Sequence, residues 1–267
     1  MTGMAAAYRL TAVVAALMLA QSTLGLLFRS QYRDVEWIAA TWLGNDSVTL
    51  AIALPLLCAG LALTRRGSTR GLLLWLGLVG YALYNYAYYL FGAALNVFFP
   101  IYLAAVISAA MALIVALSSI HPSDIAGRFK PSTPVRIIGG YFGFVGISLA
   151  SVWLAIWGAH VFTGRPTPVD PETFKLVVAL DSVLMVPALS AGGVLLWQRK
   201  ASGYVIAAIA GVQGSLYLLV LAINSAVAVF RGLAVAPGEI PLWGSLAATT
   251  SAATLLLFAN VRNHLEV

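Results

Sequence analysis

Few side chains in this sequence could do chemistry, and they are sparse enough to name singly. Asp181 sits in a long apolar run. An aspartate at the centre of a membrane span costs about 2.5–3.5 kcal/mol on insertion scales, so such a residue marks a functional site by default. Its carboxyl could balance a cation, carry a proton or act as a general acid. The second concentration is the stretch 71–92, GLLLWLGLVGYALYNYAYYLFG, whose latter half holds five tyrosines and an asparagine. At helical spacing Gly77, Tyr81, Tyr84, Asn85, Tyr88 and Gly92 share one face. A lipid-facing helix has no reason to gather hydroxyls and an amide, so this stripe is expected to face protein or a cavity.

Tyr217 and Asn224 share a face in a later apolar run, with Gln213 deeper on it. Aromatic faces hold cations, and amides fix the orientation of polar ligand atoms. The candidate ligand-binding set is therefore Tyr81, Tyr84, Asn85, Tyr88, Asp181, Tyr217 and Asn224, with Asp181 the one candidate catalytic residue. A plainer reading stands beside it. The polar groups could simply bridge helices, and Asp181, six residues after Lys175, could cap a helix at the interface with Ser182 alongside.

The elements that must position these groups follow from composition. The chain has 267 residues, 61% hydrophobic and 9% charged, against about 25% charged in soluble domains. Apolar runs of membrane-spanning length alternate with short charged clusters, and the alternating strands of a β-barrel are absent. The fold class is an all-α polytopic transmembrane bundle with spans at about 8–28, 47–64, 71–92, 97–119, 136–162, 174–198, 203–230 and 241–261. The connections 65–70, 121–136, 163–173 and 231–241 carry the expected turn formers. With the N-terminus inside, ten of fifteen basic residues fall on the cytoplasmic side, which places both termini there. At an offset of 134 residues Arg65-Arg66, Gly77 and Gly80 match Arg199-Lys200, Gly211 and Gly214. One residue further, Asp46-Ser47-Val48 matches Asp181-Ser182-Val183. The halves 1–120 and 136–262, joined by a cytoplasmic loop at 121–135, are thus expected to be parallel repeats within one transmembrane domain.

Other features mostly narrow the field. The basic residues sit in ones to threes at span ends, so the net charge of +6 reports orientation and not nucleic-acid binding. Cys58, the only cysteine, lies in an apolar run and is expected to pack there. The triplet Asn45-Asp46-Ser47 matches a glycosylation acceptor. Gly139, Gly140, Gly143 and Gly146 predict a closely packed helix face. No mid-span histidine, central lysine, P-loop, G-x-S-x-G or H-E-x-x-H sequence occurs, so no metal and no cofactor is expected. Arginine outnumbers lysine 12 to 3, a composition typical of a GC-rich bacterial gene. The expected location is the plasma membrane, the inner membrane of a bacterium, with the lipid bilayer as partner and a small molecule or lipid as possible ligand.

Three functions remain open at this stage. The first is a binding or transport protein for a small apolar or cationic molecule in a tyrosine-lined pocket open to the outer side. The second is a membrane-embedded enzyme on a lipid or isoprenoid, with Asp181 as general acid. The third is a structural or assembly subunit without small-molecule chemistry.

Overall fold

The computed structural model describes residues 2–233 and 238–262; the middle of the predicted 231–241 connection, 234–237, lies outside the described residues. Among the described residues eight long helices make up the bundle: α1 Thr2–Leu27, α2 Glu36–Arg65, α3 Thr69–Gly92, α4 Phe99–Ser118, α5 Val135–Thr163, α6 Pro171–Trp197, α7 Ala201–Phe230 and α8 Glu239–Ala259. Seven are long and apolar enough to cross a membrane. The eighth, α3, is diluted by its tyrosines and asparagine, yet its 24 residues extend about 36 Å at 1.5 Å per residue. Large apolar side chains such as Phe144, Phe162, Val183 and Phe230 point outward, as lipid contact requires and water would not favour. The protein is a membrane-embedded, all-helical bundle.

Local chemistry explains where the helices start and bend. Ser68 accepts a hydrogen bond from the Gly71 amide and opens α3. Asp170 accepts from the Glu172 and Thr173 amides and opens α6, the usual service of a capping carboxylate. Gly164 closes α5 with φ +72°, a left-handed conformation that costs glycine nothing. Inside α2 and α6 the helix widens into single π turns, Thr49–Ala53 and Asp181–Met185. Each ends two residues before a proline, Pro55 or Pro187. A proline ring cannot sit against the carbonyl one turn earlier, and a π turn makes the room.

Polar contacts identify the two ends of the bundle. At one end the Arg70 guanidinium donates to the carbonyls of Phe258 and Val261 at the close of α8. There Arg199 also donates to Pro131, and Phe129 pairs with Val261 in an isolated bridge. This end carries most of the basic residues. At the other, Asp34 accepts from the Ala94 amide and from the Trp42 indole. Helices α3 and α7 run through the centre and pack on each other, α2 also leans on α7, and α1 closes against α4. Helices α5 and α6 meet through glycines: Gly193 lies so close to the Gly143 backbone that a Cβ on it would reach 2.5 Å from the Gly143 nitrogen.

Three expectations need correcting. The second span begins at Glu36 rather than near residue 47. Asn45 and Asp46 are consequently buried within a helix, so the Asn45 triplet offers no accessible glycosylation site. Turn-forming residue types suggested a loop, but partners on neighbouring helices satisfy them. Cys58 is exposed on the outer surface of the bundle instead of packing inside it.

Candidate functional site

A cavity of about 680 Å³ occupies the half of the bundle away from the basic end. Helices α2, α3, α5, α6, α7 and α8 all contribute to its wall. It runs from Tyr81 and Tyr217 near mid-bundle to the connections at Pro168, Val169, Leu233 and Gly238. Below Tyr81 the two central helices touch, Gly77 resting on Val212, and this contact closes the floor. Helix α8 meets α5 through Tyr141, whose hydroxyl hydrogen-bonds Thr249 and Thr250 in the half nearer the basic end. The cavity lies beyond that contact.

Of the seven candidate residues, Tyr81, Tyr84, Asn85, Tyr88, Tyr217 and Asn224 line this one space. The helical stripe on α3 is the reason: residues spaced three and four apart present one wall. Asp181 does not line it. Its carboxylate lies directly behind the wall, fully buried. Oδ1 accepts a hydrogen bond from the Tyr84 hydroxyl at 2.6 Å. Oδ2 accepts from the Trp153 indole at 2.9 Å and from the Tyr217 hydroxyl at 3.4 Å. All three donors are cavity-lining rings, and Tyr84 and Tyr217 meet edge to face at 5.0 Å. An indole N–H can only donate, so the set suits an acceptor-only carboxylate. The helix cap at this end is Asp170, and Ser182 is exposed; the interfacial reading of Asp181 does not hold.

Three asparagines from three helices join the halves beside the cavity. The Asn224 amide donates to Asn45 Oδ1 at 3.0 Å, and the Asn45 amide donates to Asn85 Oδ1 at 3.4 Å. The Asn85 Nδ2 donor and the Asn224 Oδ1 acceptor end the chain without hydrogen-bond partners. Asn224 Oδ1 is pressed against Gly44, where an added Cβ would collide with it. Only glycine permits that approach.

A second buried carboxylate, missed by sequence reasoning, lies in the first half. Asp46 is fully buried. It accepts from the Tyr32 hydroxyl at 2.7 Å, the Tyr89 hydroxyl at 2.8 Å and the Gln21 amide at 3.1 Å. Tyr86 donates to the Gln21 carbonyl at 3.1 Å and extends the network. Burial, and then the Asp46 charge, hold the Tyr32 phenol above its ordinary pKa, so it remains a neutral donor. The pairing of Asp46-Ser47-Val48 with Asp181-Ser182-Val183 was the available signal. Trp153 carries no signal in the sequence, since a donor role toward an aspartate on the next helix leaves no trace in spacing.

Among the described residues the single ion pair is Lys175 with Glu172, on the surface. Neither buried carboxylate has a cationic partner among the described residues. No protein-family model, curated protein or solved structure matches this chain.

Proposed function

We propose that this is a binding or transport protein for a small apolar or cationic molecule, which it takes into the cavity from the outer side. One observation carries the reading: six helices converge on a single space of about 680 Å³ walled by aromatic rings and amides. Such pockets, mostly apolar with a few placed polar groups, are where small ligands bind. Interhelical hydrogen bonding alone would not require a void of this size, since interiors close-pack. The enzyme reading has less support. A general acid must reach its substrate, but Asp181 stands behind the wall with both oxygens engaged by Tyr84, Trp153 and Tyr217. The polar groups that could have served as a second catalytic partner, Asn85, Tyr88 and Asn224, do not hydrogen-bond it.

In the same reading the chain has eight spans with α3 as the central one, and both termini lie in the cytoplasm. The basic end is cytoplasmic by the positive-inside rule, which makes the cavity outward-facing across a plasma membrane. The two halves are parallel repeats. Matching π turns before Pro55 and Pro187, and the central placing of α3 and α7, support that relation.

Counterflow in proteoliposomes with a panel of hydrophobic amines and neutral analogues tests this function. Uptake or saturable binding that Ala228→Trp abolishes is expected, because Ala228 lines the outer part of the cavity and an indole there would obstruct it. An inert panel, or full activity in Ala228→Trp, would overturn the reading.

A further inference from the structure

We infer that the ligand is an organic monocation with an apolar body, held against the aromatic wall in front of Asp181. This rests on the reading of the cavity as a binding site and goes further by choosing charge over neutrality.

Three observations converge. First, Asp181 is a fully buried carboxylate whose partners, Tyr84, Trp153 and Tyr217, are all uncharged. An ionised group taken out of water without a counter-charge is costly, and a cation placed nearby offsets much of that cost. Second, those three partners are themselves the cavity wall. Rings that donate to an anion are polarised by it, and their faces attract cations more strongly. The charge of Asp181 thus reaches the cavity through π systems and not through direct contact, an arrangement suited to a bulky, weakly hydrated cation. Third, among the described residues no lysine, arginine or histidine lines the cavity, and its single charged lining residue is Glu239 at the outer end. The rings of Trp37 and Trp243 stand at that same end. A lining whose one charged group is an acid, with aromatic sides and a carboxylate behind the deep wall, favours cations over anions.

The experiment compares two probes of equal shape, (meta-hydroxyphenyl)trimethylammonium and meta-tert-butylphenol, by calorimetric titration of the full-length protein in lipid nanodiscs. The cation is expected to bind about tenfold tighter or more than its neutral isostere, as a desolvated cation–π contact implies. Asp181→Asn should erase that preference, with helical circular dichroism and a monodisperse elution profile showing that the variant is folded. If Asp181→Asn does not fold, Trp153→Phe, which keeps a ring but removes its hydrogen bond, should reduce the preference several-fold. Equal affinity for both probes, in mutual competition, would overturn the cation inference and leave the cavity reading standing. Binding of neither probe would overturn both. A preference unaltered in the folded variants would remove Asp181 from the account.

Discussion

The molecule holds two buried aspartates, one in each half, and the same device stands in different surroundings at each. Asp46 and Asp181 each accept three hydrogen bonds from neutral side chains, and each lies on a helix that widens into a π turn. The donors to Asp46 are Gln21, Tyr32 and Tyr89, which come from α1, the first connection and α3. They are packed on all sides: Tyr89 stacks on Trp42 at 4.6 Å and on Tyr102 at 5.0 Å. The donors to Asp181 come from α3, α5 and α7 and have an open space at their other face. A carboxylate with solid packing around its donors ties helices together. A carboxylate whose donors border a void gives that void a charge. The difference lies in the surroundings and not in the first ring of partners.

Exchanging each carboxylate for its amide should separate the two roles. Asp46→Asn leaves at least one of three buried donors facing an N–H₂ group, and water has no access to repair it. A loss of about 3–5 kcal/mol is expected, since each unsatisfied buried polar group costs roughly 1–3 kcal/mol. Asp181→Asn should cost only about 1–2 kcal/mol, because water in the cavity can serve Tyr217 and Trp153. Unfolding midpoints in mild detergent measure both. A reversed order would end the distinction between a knitting site and a cavity site.

Two glycines sharpen the comparison. A Cβ at Gly25 would strike the Asp46 carboxylate and the Tyr32 hydroxyl, and one at Gly44 would strike Asn224. Each alanine variant is expected to lose about 1–3 kcal/mol, the usual cost of overpacking. Only Gly44→Ala should also weaken ligand binding, because Asn45, Asn85 and Asn224 line the cavity. Equal binding losses would mean that general loosening, and not cavity geometry, governs affinity. The smallest effect belongs to the exposed cap of α6. Asp170→Ala should cost about 1 kcal/mol. Hydrogen bonds from Thr173 lower the Asp170 pKa, so this contribution is present above the ordinary carboxylate range and is lost as pH falls through the lowered value. Wild type and Asp170→Ala should converge in acid.

Much of this was legible in the sequence, for a physical reason. Membrane spans must be long and apolar, so composition announces them, and a polar stripe such as Tyr81, Tyr84, Asn85 and Tyr88 stands out against that background. The first half of α2 was not legible. Glu36, Asn45 and Asp46 look like a loop when read alone, and only partners 14 to 40 residues away in the chain, Tyr32, Gln21 and Asn85 among them, make a helix there affordable. Asp181 was visible, but whether it touched the cavity or stood behind it depended on Trp153 and Tyr217, whose distances across the bundle no local pattern encodes.

The central claim is that the charge of Asp181 acts on whatever occupies the cavity. The most direct measurement is the rise in unfolding midpoint produced by saturating (meta-hydroxyphenyl)trimethylammonium in wild type and in Asp181→Asn. A clear rise in wild type and a markedly smaller one in Asp181→Asn is predicted. An equal rise in both, or none in either, would contradict it.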